Sequence, residues 1–308
     1  MSSTGLPSKI GVEPSPTGDL TRMPAPFVIG AGRSGTTLLR LMLDAHSELA
    51  IPPETHFVPE AVQRCLQVHD SSDPDCFLKT VRSSSRWGDF HLDFDVLRER
   101  IERFGEFDLG EALRVFYMLY AERYGKSRWG DKTPGYVMHM QAIKPVLPEA
   151  HFVHVIRDGR DVALSIQEMW FGPNSVHRAA KWWVDRIANA RAQARSIHWY
   201  LEIRYEDLVE TPEPALRRVC EFIALPWDAA MLNYHVGAPE RIAELGDMSG
   251  GSGRLVTADE RRRIHEFATR PPEMGRIGRW RREMSEADRK VFEKIAGPTL
   301  QELGYEIE

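Results

Sequence analysis

Apolar positions along this chain alternate between short unbroken runs and longer stretches in which they recur every three or four residues. The runs at 26–30, 49–51, 152–156 and 200–204 predict buried strands. Residues 36–45 place Leu38, Leu39, Met42 and Leu43 on one helical face. Residues 112–124 carry Leu113, Phe116, Tyr117 and Tyr120 at helical spacing. Thr211-Pro212-Glu213-Pro214 opens another helix, with Thr211 as N-cap and Leu216, Val219, Cys220 and Ile223 inward. Strands alternating with helices predict an α/β fold around a mostly parallel, doubly wound sheet, with ligands at the carboxyl ends of its strands. Two stretches break the rhythm. Residues 66–95 are polar, with Ser71-Ser72-Asp73-Pro74 and Ser83-Ser84-Ser85, and residues 237–255 contain Ser249-Gly250-Gly251-Ser252-Gly253. They predict an acceptor-side insertion, or a helical cap over the site, within about 56–128 and a mobile loop over about 237–255, either of which shapes a substrate pocket.

Composition narrows the class. A hydrophobic content of 42% and a charged content of 28% over 308 residues fit a soluble globular chain long enough for one large α/β domain, taken as 25–308. The Ser, Pro, Gly and Thr content of residues 1–24 predicts a disordered leader without the apolar core of a secretory signal. Net charge of −5 gives no general attraction for nucleic acid. No segment approaches the about 18 apolar residues of a membrane span. Three widely spaced cysteines, Cys65, Cys76 and Cys220, predict a reducing compartment and neither a disulfide framework nor a zinc site. The histidines show no metal-binding spacing, so no metal is expected.

Candidate chemistry concentrates in Pro26 to Arg40, a strand, a glycine-bearing turn and a helix start. Such a turn presents backbone N–H groups to an anion where the helix dipole favours one. Gly30, Gly32 and Gly35 permit close approach, Ser34, Thr36 and Thr37 add hydroxyls, and Arg33 adds a fixed guanidinium fork. The turn suits a phosphate or a sulfate. Gly30 and Gly35 have the spacing of a nucleotide-triphosphate loop, but Thr36 stands where that motif has lysine, and no strand-ending Asp for Mg²⁺ follows.

The run from Arg33 to His46, R-S-G-T-T-L-L-R-L-M-L-D-A-H, resembles the 5′-phosphosulfate loop of sulfotransferases that use 3′-phosphoadenosine 5′-phosphosulfate (PAPS), above all the tyrosylprotein and carbohydrate types. The resemblance implies a P-loop-like three-layer fold and transfer of a sulfuryl group to a hydroxyl, without metal, releasing 3′-phosphoadenosine 5′-phosphate (PAP). It places Arg33, Ser34, Gly35, Thr36 and Thr37 on the 5′ side. A second matching stretch, His154 to Ser165, puts Arg157 and Ser165 on the 3′-phosphate at the family's spacing. Arg204-Tyr205-Glu206-Asp207-Leu208 is similar to the segment whose tyrosine lies near the adenine. Gly275 to Trp280, with Arg276, Gly278 and Arg279, resembles the segment that closes over the 3′-phosphate, and residues 251–282 hold nine Arg against four acidic residues. Alternatives for these last three are a salt-bridged helix start, a packed tyrosine and a solvated basic face.

Glu54, in Ile51-Pro52-Pro53-Glu54-Thr55-His56, corresponds to the base of the tyrosylprotein enzymes. His56 is the alternative base, since an imidazole suits neutral pH, and a helix-capping carboxylate is the structural alternative. Lys132, in Asp131-Lys132-Thr133-Pro134, corresponds to the lysine that faces the sulfuryl group; its alternative is a surface lysine on a turn. Trp182 and Trp183 predict core or pocket wall, Trp170 and Phe171 a site lining, and His46 a helix C-cap. The expected acceptor is a hydroxyl on a sugar, lipid, phenol, natural product or tyrosine. Arg64, Arg82, Arg86 and Arg98 either favour an acidic acceptor or are solvated. The resemblance and the absence of a span together imply a cytoplasmic, bacterial enzyme. A P-loop kinase and a non-catalytic PAP-binding module are the rival functions, separable by dependence on ATP and Mg²⁺.

Overall fold

A computed structural model describes residues 22–67, 74–103, 106–249 and 254–308. Most of the expected leader, and Ser71–Asp73 and Gly250–Gly253 of the two polar stretches, lie outside the described residues. The centre is a four-stranded parallel sheet in the order β4-β1-β5-β6. Strand β1 is Ala25–Gly30, β2 Leu49–Ala50, β3 Arg128–Trp129, β4 Asp131–Lys132, β5 Ala150–Ile156 and β6 Tyr200–Arg204. Every residue of β1 and β5 is buried, as both faces of a covered parallel sheet require. Register runs from Ala25 opposite Ala150 to Gly30 opposite Val155, and from Phe152 opposite Tyr200 to Ile156 opposite Arg204.

The two faces separate by the period of two that a strand imposes. Phe27, Ile29 and Phe152 enter one core with Phe57, Phe116, Tyr117 and Trp129. Val28, Val153, Val155 and Ile203 enter a second core with Leu39, Met42, Leu216 and Val219. Phe27 meets Tyr117 and Trp129 edge-on, each at 6.2 Å between ring centroids, contacts of about 0.5–1.5 kcal/mol beyond area burial. The predicted helices form at Thr36–Asp44, Leu109–Glu122 and Pro212–Phe222.

Four expectations are corrected or refined. The polar stretch at 66–95, read as an insertion or a helical cap, is largely helical where described: Pro74–Ser83 and the start of Phe94–Glu102, after a helix Val58–Gln67. The segment read as a loop over 237–255 contains a helix, Ala238–Ala243, and an antiparallel strand pair, Met248–Ser249 with Leu255–Val256. Asp131-Lys132 is not a turn but an edge strand, with Phe27 opposite Asp131 and Val28 opposite Lys132. A charged pair buried within a sheet carries no apolar signal. His46 does not cap its helix: its ring accepts from the Glu48 N–H and bonds the Pro226 carbonyl, each at 2.9 Å.

Because all four central strands run the same way, their carboxyl ends share one edge. Gly30, Lys132, Ile156 and Arg204 end them, so the phosphate-type loop, Lys132, Arg157 and Tyr205 emerge side by side.

Candidate active site

The loop between β1 and helix Thr36–Asp44 is tightly constrained. Gly35 is the N-cap residue with φ 101°. A Cβ there would lie 2.3 Å from the Tyr205 ring, so both the left-handed backbone and the close approach require glycine. Arg33 adopts φ 71°, a conformation that costs a non-glycine residue about 1–3 kcal/mol and is typical of functional turns. It is held there by Arg33 Nε donating to Ser165 Oγ at 3.1 Å and Nη1 donating to the Ile264 carbonyl at 3.1 Å. Burial, then Arg157 and Arg276, push its pKa down to about 10, so it stays cationic at neutral pH.

Arg157 continues β5 and is buried. It donates to the Arg33 carbonyl at 3.2 Å and the Arg276 carbonyl at 2.7 Å, and stacks 4.4 Å over the Tyr205 ring. Its Nε and Ser34 Oγ are buried and find no hydrogen-bond partner among the described residues. Such orphans are costly unless a ligand satisfies them. Asp161, fully buried, accepts from the N–H groups of Gly278 at 2.8 Å and Trp280 at 2.9 Å, which ties the 276–280 segment to the Arg157 helix. Gly278 has φ 65°. Arg276 lines the cavity and stacks on Phe267. Arg279 is turned toward Glu283 and Glu168 and does not line it.

Across the loop lies a second constellation. Lys132 Nζ donates to Glu54 Oε1 at 2.7 Å and to Thr37 Oγ1 at 3.4 Å. His56 Nε2 is 2.8 Å from Glu54 Oε2, and Arg86 lies 3.9 Å away. Burial raises the Glu54 pKa, but Lys132 and His56 outweigh it and hold the carboxyl well below its ordinary range. Burial pushes the Lys132 ammonium down, with Glu54 opposing. The backbone on either side is fixed by a buried web. Thr55 Oγ1 donates to Asp131 at 2.7 Å and meets Tyr136 Oη at 2.6 Å; Tyr117 Oη donates to Asp131 at 2.9 Å; the Thr55 N–H donates to Thr133 Oγ1 at 3.0 Å. Glu54 therefore sits on a braced loop after β2 and Lys132 on the braced end of β4, and Lys132 is buried, not a surface lysine.

His265 is a site residue that sequence reasoning missed. Its Nδ1 is 3.4 Å from Thr37 Oγ1, and burial with Lys132 and Arg33 holds its pKa well below the ordinary imidazole value, so it is neutral. It follows Arg261-Arg262-Arg263, a run that reads as a basic face, and no local pattern marks it.

Arg33, Gly35, Thr37, Glu54, His56, Arg157, Tyr205, His265 and Arg276 line one cavity of about 510 Å³, within the range of small-molecule sites, while Ser34, Lys132, Ser165 and Gly278 are not part of its lining. The loop, Arg157, Tyr205 and Arg276 form one side; Glu54, His56, Arg86, Pro134 and Gly135 form another. Trp170, Phe171 and Trp182 also line it, whereas Trp183 is core, its Nε1 donating to the Arg157 carbonyl at 3.2 Å. Arg64, Arg82 and Arg98 do not line it. No group of three or more His, Cys, Asp or Glu placed to hold a metal occurs among the described residues. Taken together, the site offers fixed cations and unpartnered donors for anions beside a carboxylate held between an ammonium and an imidazole.

The site lies at the carboxyl edge of an α/β sheet, and comparison with known proteins gives the family. The sulfotransferase family model matches residues 24–229, about two thirds of the chain, so the chain belongs to the sulfotransferase family. It is 28% identical over 221 residues to a protein-tyrosine sulfotransferase of Drosophila melanogaster, covering 69% of this chain and 40% of that protein. It is 25% identical over 287 residues to protein-tyrosine sulfotransferase A of Caenorhabditis elegans, covering 91% of this chain and 67% of that protein. The chain thus spans well under half of the first relative's length. The fold matches the sulfotransferase domain from the curacin biosynthetic pathway, with TM-score 0.59 and 22% identity, covering 93% of this chain and 100% of that one. It also matches the sulfotransferase domain of the Synechococcus PCC 7002 olefin synthase, with TM-score 0.58 and 22% identity, covering 92% and 96% of the two chains.

Proposed function

We propose that this protein moves a sulfuryl group from PAPS to an acceptor hydroxyl by in-line displacement and releases PAP. The observation that carries the reading is the set of anion-seeking groups at one sheet edge: Arg33, Arg157 and Arg276 beside the unpartnered Ser34 Oγ and Arg157 Nε. PAPS supplies an already activated sulfuryl group, so the chain's tasks are binding, orientation, charge stabilisation and proton removal. Arg33, Ser34, Gly35, Thr36 and Thr37 would receive its 5′ side. Arg157, Ser165 and Arg276 would receive the 3′-phosphate, and Tyr205 the adenine; the Gly278 N–H, expected on the same phosphate, is taken by Asp161. Lys132 would stabilise charge on the sulfuryl and leaving oxygens. Glu54, with its pKa held low, is ionised across the neutral range and takes the acceptor proton, and His56 is its hydrogen-bonded partner or substitute. The charge balance needs no metal when Arg33, Lys132 and Arg157 supply it. Cys76 and Cys220 carry free thiols, which supports a reducing, cytoplasmic setting; no helix among the described residues is long and apolar enough to cross a membrane.

Thermal unfolding with PAP, and separately with ATP plus Mg²⁺, tests the reading in wild type and Arg157→Ala. A ligand at a hundredfold excess over its Kd adds about 2.7 kcal/mol to stability. PAP is expected to raise Tm, ATP to leave it unchanged, and Arg157→Ala to weaken PAP about 10- to 100-fold. A shift with ATP and none with PAP would put a kinase in place of the sulfotransferase.

A further inference from the structure

The cavity holds one cation that sulfuryl transfer does not account for. Arg33, Arg157 and Arg276 surround the phosphate-type loop and have been assigned above. On the Glu54 side, Arg86 is 3.9 Å from the Glu54 carboxylate, and Arg261 is gripped by both oxygens of Asp89. Both charges are compensated. Arg64 pairs with Glu60, and Arg82 and Arg98 stack on Phe94, all outside the cavity. Of the four arginines that the sequence offers for an acidic acceptor, none is left to hold one.

Arg186 remains. It lines the cavity, and among the described residues no carboxylate oxygen lies within ion-pair distance of its guanidinium; Asp185, its chain neighbour, is the acid acting on it. Its guanidinium lies 3.9 Å over the Trp182 ring, and Nη1 donates to the Trp182 carbonyl at 3.2 Å. The Trp182 indole in turn rests on the loop: a Cβ built on Gly32 would lie 3.6 Å from it. Arg186 is thus braced on an aromatic plate that packs on the loop at Gly32, whereas Tyr205 packs against Gly35. The unused edge of its fork is a ready receptor for a planar or tetrahedral oxyanion.

We propose that Arg186 is the anion-recognition residue of the acceptor subsite, and that the acceptor is a hydroxyl compound carrying a carboxylate or phosphate. The inference rests on the sulfuryl-transfer reading of the same cavity. Burial pushes the Arg186 guanidinium down to about 10, so it is charged at neutral pH yet poorly solvated, the state that gains most from an anionic partner. Trp170 and Phe171, paired edge to face at 5.0 Å, add an apolar wall for the acceptor's body. Glu54 is already compensated by Lys132, His56 and Arg86, whereas no carboxylate lies within ion-pair distance of Arg186 among the described residues, so the acceptor enters with its hydroxyl toward Glu54 and its charge toward Arg186.

Matched acceptor pairs test this: 3-(4-hydroxyphenyl)propionate against its amide, 3-hydroxyoctanoate against its amide, and glycerol phosphate against glycerol. Each is measured for binding to the PAP-saturated protein by calorimetry and for turnover with PAPS, in wild type, Arg186→Gln and Arg186→Lys. The charged member of at least one pair should bind about ten- to hundredfold tighter, the size of a charge-assisted hydrogen bond. Arg186→Gln should erase that advantage, Arg186→Lys should restore part of it, and PAP affinity should not change. The carboxylate and phosphate arms distinguish the two anion sources. Equal binding within every pair, or an advantage that survives Arg186→Gln, overturns the proposal. So does weaker PAP binding in Arg186→Gln, which would assign the guanidinium to the donor. Failure of PAP to bind wild type instead overturns the sulfotransferase reading.

Discussion

The two sides of the cavity handle charge in opposite ways. Around the loop, positive charge is left in surplus: among the described residues no carboxylate lies within ion-pair distance of Arg33 or Arg276, and Arg157 has Asp161 only at 3.7 Å. Buried Ser34 Oγ and Arg157 Nε lack partners as well. Around Glu54, charge is balanced in place, with the carboxylate between Lys132, His56 and Arg86; Asp131 Oδ2 accepts from Thr55 and Tyr117, while its buried Oδ1 has no partner among the described residues. A surplus is what a site for a polyanion needs, because the ligand completes it. A balanced cluster is what a reacting centre needs, because protons and charge move through it without leaving a buried ion uncompensated. The first side is a receptor with vacancies of charge; the second is a preorganised machine.

Removing the ammonium should expose this difference most sharply. Lys132→Ala is expected to lower kcat about 10³-fold, the upper end for a lost electrostatic stabiliser, while PAP affinity in calorimetry changes little. The same variant leaves Glu54 without its main counter-charge, so the acid limb of the pH–rate profile should move up from below the ordinary carboxylate range. The sign follows from linkage: a depressed carboxyl pKa contributes stability above its unfolded value and loses it as pH falls through the folded value. In Lys132→Ala that loss therefore begins at higher pH, which acid unfolding monitored by circular dichroism would record. A large drop in PAP affinity would instead mean that the two sides act as one.

Glu54→Gln should lower kcat about 10²-fold, with His56→Ala costing less, as expected of a base and its hydrogen-bonded partner. The reverse order in single-turnover assays would transfer the base role to His56. On the other side, Gly35→Ala forces a left-handed φ and a Cβ into the Tyr205 ring. It should cost about 1–3 kcal/mol of stability and weaken PAP binding by a comparable factor, read from Tm and a PAP titration. Unchanged binding would mean that loop and ring do not form a single receptor.

Legibility in the sequence follows the same division. The loop from Gly30 to Thr37 and the pair Arg157 and Ser165 stand out because backbone geometry and short spacing encode them locally. The long strands and helices were legible for a related reason: continuous burial in β1 and β5, and three-and-four spacing in Leu38, Leu39, Met42 and Leu43, are written directly into residue order. Strand β4 was not, since Asp131 and Lys132 look like solvent-facing turn residues until Phe27 and Val28 pair with them. His265 was invisible because its partner Thr37 is 228 positions away.

The sequence by itself determined an α/β sheet with an anion-binding turn at the end of its first strand, because period, glycine placement and helix start are local properties. Only the tertiary structure decided which charges meet. Glu54 and Lys132, 78 positions apart, become an ion pair because the segment after β2 folds against the end of β4. Arg279, adjacent in sequence to Gly278, turns away to Glu283 and Glu168, while Arg186 turns in. Charge is a property of a residue, but compensation is a property of distance, and distance is set by the fold.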